Sequence, residues 1–392
     1  MASVISRFRQ AVNTNLEHIW AAPPPFAMHT PAALATDFLA PAIALSHGGK
    51  RTRALFALAG FQAGCSAAPD TLEEMPTSEL PVALGSVLEL YQLSALIHDD
   101  VIDGASMRRG VPTAHVAYAQ WHRAHSLLGS APSFGEKMAV LLGDYVLSLA
   151  SYTLESGISP AASHRPLTTS HRSPAASQNV CEHGVRELFH AMCTEVAFGQ
   201  YTDALSEFEP LSLHGSAAME RALAVLYHKA ARYSVLVPTL LGAQLALAHQ
   251  TLSASTAQPD ILTELESICL PLGEAFQLRD DALGIFGDPH ATGKPAGDDL
   301  AEGKRTVLIA LTREMALPQE RGTIDALLGI GRQLSAEELA QARSIIVGCG
   351  AYARHEELIA EREAHVNSAI ARSSLELSVL QELAASLVGR TH

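Results

Sequence analysis

Apolar side chains recur along most of the chain with the period of a helix surface, as at Leu84, Leu88, Tyr91 and Ala95. No stretch alternates convincingly with the two-residue period of a half-buried strand, so the pattern predicts an all-α fold. The interruptions are as informative as the repeats. Gly48 and Gly49 precede a basic helix start, and residues 104–112 break the apolar helix that runs into Asp99, Asp100 and Asp103. Residues 157–178, rich in Ser, Pro, His and Ala, predict an exposed, mobile loop between helices and not a domain linker. A second break, residues 287–306, combines four glycines with His290, Lys294, Lys304 and Arg305 and suits a flap that approaches a phosphate closely. The most apolar run, Tyr233 to Ala248, carries Pro238 and Gln244 and is too short for a membrane span; a buried helix is expected.

Composition narrows this picture. With 392 residues, 48% hydrophobic and 5% aromatic, the chain can bury a large core as one big helical domain or two smaller ones. A net charge of −14 excludes the basic face that a nucleic-acid partner needs. Cys65, Cys181, Cys193, Cys269 and Cys349 stand singly, without zinc spacing, and read as core thiols of a reducing cytoplasm. The N-terminal residues lack the apolar core and cleavage site of a signal peptide, so a soluble, cytoplasmic protein without an integral membrane segment is expected.

The chemistry lies in two acidic segments. Asp99 and Asp103 are spaced i, i+4, so a helix brings them to one face about 6 Å apart. Like charges at that spacing repel, and a divalent cation removes the penalty; carboxylates without His or Cys in register favour Mg²⁺. The second segment, FQLRDDALGIFGD (residues 276–288), places Asp280 and Asp281 on a helix one turn after Gln277. Its i+4 slot is Gly284, which predicts a metal site with fewer carboxylates. Single acidic pairs are usually solvated faces, but each of these ends an apolar helix and is followed by basic residues. Candidate cations for a diphosphate are Lys50, Arg51 and Arg53 in GGKRTR, Arg108 and Arg109 after the first acidic segment, Lys229 in YHKAARYS, and Lys294 and Lys304 in the flap.

These segments, together with LLGDYVLSLA, EVAFGQYTDA and YHKAARYSVLVPTLLGA, occur in the order found in the all-trans (E-type) polyprenyl diphosphate synthases, which the chain resembles over residues 45–309. The resemblance implies a single domain over residues 1–392, an antiparallel helical bundle around a deep central cavity, usually homodimeric. It implies three Mg²⁺ ions held by Asp99, Asp100, Asp103, Asp280 and Asp281. Arg108, Lys229, Gln277, Lys294 and Lys304 would hold an allylic diphosphate; Lys50, Arg53, Gln92 and Arg109 would hold isopentenyl diphosphate. Asp99, Asp103, Lys229 and Asp280 would be the catalytic set. Diphosphate departs from the allylic substrate, the double bond of isopentenyl diphosphate attacks the resulting cation, and a proton is lost.

Three positions depart from the family pattern. Gln92 stands where a His usually follows Glu89 by three residues, Ala230 replaces the Thr often found beside the Lys, and Gly284 ends the second motif. Product length follows from the helix leading to Asp99. A helical turn rises 5.4 Å, about one extended isoprene unit, so each turn of free depth adds about five carbons. Ser94 and Ala95 are small and predict growth past 15 carbons; Tyr91, one turn deeper, is the expected floor for a 20-carbon product, geranylgeranyl diphosphate, with 25 to 30 carbons as the alternative. A class I terpene cyclase also ionises a prenyl diphosphate over aspartates, but it needs no second diphosphate pocket, which GGKRTR and the flap argue for.

Overall fold

The computed structural model describes residues 3–21, 31–65, 77–157, 176–213, 215–249, 258–288 and 296–388. It is all-α, 82% helical; among the described residues the only strands are two dipeptides, Met107–Arg108 and Val111–Pro112, paired antiparallel. The Ser/Pro-rich loop expected at 157–178 falls almost wholly on residues 158–175, outside the described residues.

The chain divides into two compact units, residues 1–186 with 241–258 and residues 187–240 with 259–392. In the first, α1 (Val4–Ala21), α2 (Ala32–Ser46), α3 (Thr52–Gly64) and α4 (Glu79–Ile102) precede the short hairpin, and α5 (Ala114–Ala124) and α6 (Ala131–Gly157) follow it. Helix α4 is its axis, with Leu84, Val87, Leu88 and Ile97 fully buried. Small residues set how closely its neighbours approach. A methyl group at Gly85 would press on Phe8, Val12 and Ala54 at 3.1 Å, and one at Gly143 would collide with the His98 ring at 2.3 Å. Both positions trade helix propensity for tight packing.

The second unit is built on most of α7 (Ala176–Phe208), α8 (Ser216–Val225) and a π-helical stretch, Leu226–Leu236, which continues into α9 (Val237–His249), whose residues from 241 on belong to the first unit. Helix α10 (Gln258–Phe286) carries the second acidic segment, and α11 (Asp298–Glu302), α12 (Val307–Met315), α13 (Pro318–Leu327), α14 (Ala336–Gly348), α15 (Ala351–Arg372) and α16 (Ser378–Val388) complete the chain. Helix α15 runs antiparallel to α10, tied by Glu356 to Arg279 at 2.7 Å, Arg362 to Glu274 at 2.9 Å, and an edge contact between Tyr352 and Phe286. Arg343 of α14 caps the Ile285 carbonyl at 2.8 Å. The C-terminal helices thus brace the end of α10 from which the acids project.

Among the described residues two helical stretches, Glu79–Ile102 and Ser216–Ala248, are long and apolar enough to cross a membrane, but 78% and 72% of those windows is buried within the protein. That burial makes them weak membrane candidates and agrees with the buried helix expected over Tyr233 to Ala248.

Candidate active site

Helix α4 delivers the first acids. Asp103 is the residue that closes the helix, its N–H donating to the Asp99 carbonyl at 2.8 Å, so the i, i+4 relation expected from sequence is present in the backbone. The chain then reverses at Arg109 and Gly110, both in the left-handed region (φ 53° and 78°), the geometry of a tight two-residue hairpin. This turn brings Arg108 back onto the helix end, where its Nε donates to Asp100 Oδ1 at 2.6 Å and an Nη to Asp99 Oδ2 at 3.4 Å. Asp100 is fully buried. One of its oxygens anchors Arg108, the same guanidinium that reaches Asp99. Arg108, expected at a diphosphate, bridges these two aspartates.

Product-length candidates lie on the same helix. Ser94 is buried and donates to the Gly143 carbonyl of α6 at 2.8 Å. It therefore belongs to a helix–helix contact and does not line open space, contrary to the sequence expectation. Ala95 is half-buried, and Tyr91 is buried one turn deeper, about 40° around the helix from Ala95.

The basic segment GGKRTR turns into α3 through Arg51, whose φ of 56° is left-handed. Its three basic residues look alike in sequence but are unlike in the fold. Lys50 is exposed, Arg53 half-buried and Arg51 buried. Arg51 donates to Glu89 Oε2 at 3.1 Å, Asn13 Oδ1 at 2.8 Å and the Ser46 carbonyl at 2.7 Å. Arg51, Arg109, Gln92 and Glu89 line one small cleft. Gly49 lets them meet, since a methyl group there would stand 2.9 Å from Arg51 Nη1 and 3.1 Å from Arg109 Nη1. The pKa of Arg109 is lowered, first by burial of its guanidinium and then by Arg51, Arg108 and Arg53, against the raising effect of Glu89. Such crowding of guanidinium groups favours an anion. Sequence reasoning left the structural role of Arg51 unrecognised.

In the second unit Lys229 sits within the π stretch and donates to Asp203 of α7, a partner inside the quoted EVAFGQYTDA segment that was not singled out. Its neighbours are held by Glu195, which accepts from His228 Nδ1 at 2.8 Å and Arg232 Nε at 3.0 Å. The wide π backbone needs room on two sides. A Cβ on Gly199 would lie 2.7 Å from Lys229 N, and one on Gly273 2.5 Å from the Ala231 carbonyl oxygen. π stretches are rare and concentrate at functional sites.

On α10, Gln277 donates to Asp281 Oδ1 at 2.8 Å. Asp280 is exposed; Asp281 is buried, and its pKa is raised well above the usual carboxylate range, first by burial and then, against the Gln277 bond, by Asp299, Asp280 and Asp203. Lys304 pairs with Glu302 at 2.6 Å and stands 3.8 Å from Asp299. Lys294 lies outside the described residues. Among the described residues no group of three or more His, Cys, Asp or Glu side chains stands ready to hold a metal ion. The residues nevertheless fit Mg²⁺ in its usual mode. That ion takes one or two carboxylates and completes its shell with water and phosphate oxygens, and a crowded, buried carboxylate such as Asp281 gains from a cation.

Comparison with known proteins agrees with the all-α frame and its two acidic segments. The polyprenyl synthetase family model matches residues 38–346. The chain is 31% identical to a probable farnesyl diphosphate synthase of Bradyrhizobium diazoefficiens over 75% of this chain and 74% of that one. It is 28% identical to a geranylfarnesyl diphosphate synthase of Aeropyrum pernix over 78% and 77%. Among solved structures, a geranylgeranyl pyrophosphate synthase from Corynebacterium glutamicum, complexed with isoprenyl diphosphate and magnesium, superposes with a TM-score of 0.75 at 32% identity, covering 99% of this chain and 97% of that one. The molecule is an enzyme that transfers prenyl groups, using isoprenyl diphosphates. It belongs to the polyprenyl synthetase family.

Proposed function

We propose that the enzyme condenses isopentenyl diphosphate with an allylic diphosphate, with Mg²⁺, to give all-trans geranylgeranyl diphosphate. The observation that carries the product length is the pairing of small Ala95 with buried Tyr91 one turn deeper on the helix that ends in Asp99 and Asp103. Relatives named for 15-, 20- and 25-carbon products match at similar identity, so the length rests on this helix and not on their names.

In the reaction the allylic C–O bond breaks with its electron pair leaving on the diphosphate. The terminal alkene carbon of isopentenyl diphosphate forms the new C–C bond, and a proton is then lost to the released diphosphate. Bound Mg²⁺ supplies positive charge against the departing group. Asp99, Asp103, Asp280 and Asp281 are the carboxylates that would hold it. Lys229, Gln277, Lys294, Lys304 and Arg108 would orient the allylic diphosphate, Arg108 by exchanging its aspartates for phosphate oxygens. Arg109 and Gln92, with Lys50 and Arg53, would take isopentenyl diphosphate; Gln92 donates through its amide where a His is usual. Apolar surface along α4 excludes water from the cation.

A second diphosphate site also separates this reading from a terpene cyclase. We further read the enzyme as a cytoplasmic homodimer, on Cys65, Cys193, Cys269 and Cys349, none of them in a disulfide, and on the exposed apolar residues Leu141 and Tyr152 of α6. Incubation with Mg²⁺, isopentenyl diphosphate and dimethylallyl, geranyl or farnesyl diphosphate in turn, followed by product sizing, tests the reaction. A 20-carbon diphosphate is expected from each primer. Conversion of geranylgeranyl diphosphate alone to a hydrocarbon would sink it.

A further inference from the structure

The turn between α5 and α6 holds two leucines out of the fold. Leu128 is 99% exposed and Leu127 39%. A single exposed leucine means little, but this pair stands on a built support. The backbone reverses through Ser126 and Gly129, both left-handed (φ 52° and 91°), and at Ser126 a side chain adopts that conformation against its preference. The Ser126 N–H donates to the Arg123 carbonyl and the Leu127 N–H to the His122 carbonyl, each at 3.2 Å. The buried His122 ring donates through Nε2 to the Leu128 carbonyl, also at 3.2 Å. The main chain is thus pinned inward while both side chains are left to solvent. On the adjoining helix turns Trp121 stacks on His125 at 4.1 Å and faces Phe134 at 6.1 Å, an aromatic tier with apolar bodies and polar edges.

Charge and position decide what such a tip meets. From Gly104 to Gly135 the chain has no Asp or Glu, in a protein whose net charge is −14. Arg123 and His125 are exposed beside the leucines. The tip also projects from the end of the first unit that carries its acids. Ser94 donates to the Gly143 carbonyl and His98 to the Val140 carbonyl, so α6 runs antiparallel to α4. From Val140 back to Ala131 is about 13 Å of helix, whereas His98 to Asp103 is about 7.5 Å, which sets the turn beyond the last turn of α4. A convex apolar tip offers little area to a protein surface and suits a bilayer. There the leucines enter the acyl boundary, the aromatic rings sit at headgroup depth and the cations meet anionic lipid.

We infer that Leu127 and Leu128 dock the enzyme reversibly on an anionic membrane surface, with the acid-bearing end of α4 turned towards the lipid. Prenyl diphosphates are amphiphiles whose tails partition into bilayers, so docking shortens the passage of substrate and product between membrane and enzyme. The docking stands on the turn alone; only its benefit rests on the proposed reaction.

The test is co-sedimentation of the full chain with vesicles of equimolar phosphatidylcholine and phosphatidylglycerol, and with vesicles of phosphatidylcholine alone. Wild type should bind the anionic vesicles. Leu127→Ser with Leu128→Ser should lower the partition coefficient about 10-fold or more, since burying even one leucine changes an equilibrium by that factor. Arg123→Gln should lower it about fivefold on the anionic vesicles and leave binding to the neutral ones unchanged. Leu317→Ser, at a leucine of the second unit that is also exposed, should change nothing. With Trp20→Phe, Trp121 is the single tryptophan left, and its emission should shift to the blue when anionic vesicles are added. Failure of wild type to bind either vesicle, equal binding by the double leucine variant, or binding without a shift at Trp121 overturns the proposal. So does a loss of self-association in the double variant, by analytical ultracentrifugation, with vesicle binding kept, because the tip is then a protein contact. Each variant should keep wild-type turnover in vesicle-free solution, which shows that it is folded. Vesicle binding without any prenyl transfer would sink the proposed reaction and leave the docking standing.

Discussion

Replacing Tyr91 with alanine should lengthen the product by one isoprene unit. Tyr91 is 6% exposed and lies one turn below Ala95 on α4. Removing its ring opens about the height of one helical turn, 5.4 Å, close to one extended five-carbon unit. The next side chains down this face, Leu88 and Leu84, are fully buried and set a second floor. The expected shift is therefore from 20 to 25 carbons. The converse change, Ala95→Phe, raises the floor and should stop growth at 15. Truncating so buried an aromatic costs about 3–5 kcal/mol, a large part of a typical stability of about 5–15 kcal/mol, so the assay must run well below the variant's melting temperature. Products from farnesyl and isopentenyl diphosphate, dephosphorylated and separated by reversed-phase chromatography, report the length. A folded, active Tyr91→Ala enzyme that still makes only the 20-carbon product refutes Tyr91 as the floor, whatever its rate.

Two further outcomes concern the scaffold that holds the site. His355 is fully buried on α15 against α10, with neither ring nitrogen hydrogen-bonded, and its pKa is pushed down to about 4, first by burial and then by Arg279 and Arg362 against the raising effect of Glu356. Its stabilising share is complete above pH 6.5 and is lost as pH falls through 4, because the unfolded chain takes up the proton first; at pH 4.5 the loss is about 2–3 kcal/mol. His355→Phe should flatten the melting temperature between pH 7 and 4.5 relative to wild type, and an identical acid slope in both proteins contradicts this. Arg51→Met strands the buried Glu89 and should cost about 3–5 kcal/mol in urea unfolding, with Arg51→Met/Glu89→Leu recovering most of it; a loss below about 1 kcal/mol shows that the pair is not a structural anchor.

Several of these features were visible in the residue order and others were not. The two acidic segments were legible because each interrupts a helical apolar period with charge, and local spacing alone dictates that Asp99 and Asp103 share a face. Arg51 was not separable from Lys50 and Arg53, since three adjacent cations differ only in which one the left-handed turn drives inward against Glu89 and Asn13. Ser94 read as open space because it is small; its bond to Gly143 depends on how closely α6 approaches. The π stretch around Lys229 has the composition of an ordinary helix, and only the backbone room left by Gly199 and Gly273 reveals it.

By itself, then, the sequence determined the helical class, the positions of the acids and the family, because these depend on periodicity and on ordered short-range motifs. The tertiary structure decided which charges answer which. Arg108 turns back onto Asp99 and Asp100, Lys229 finds Asp203, and Arg51 finds Glu89. Each of these pairings joins residues by chain reversal or helix packing, and burial then raises the electrostatic stakes of every pair beyond anything that spacing along the chain encodes.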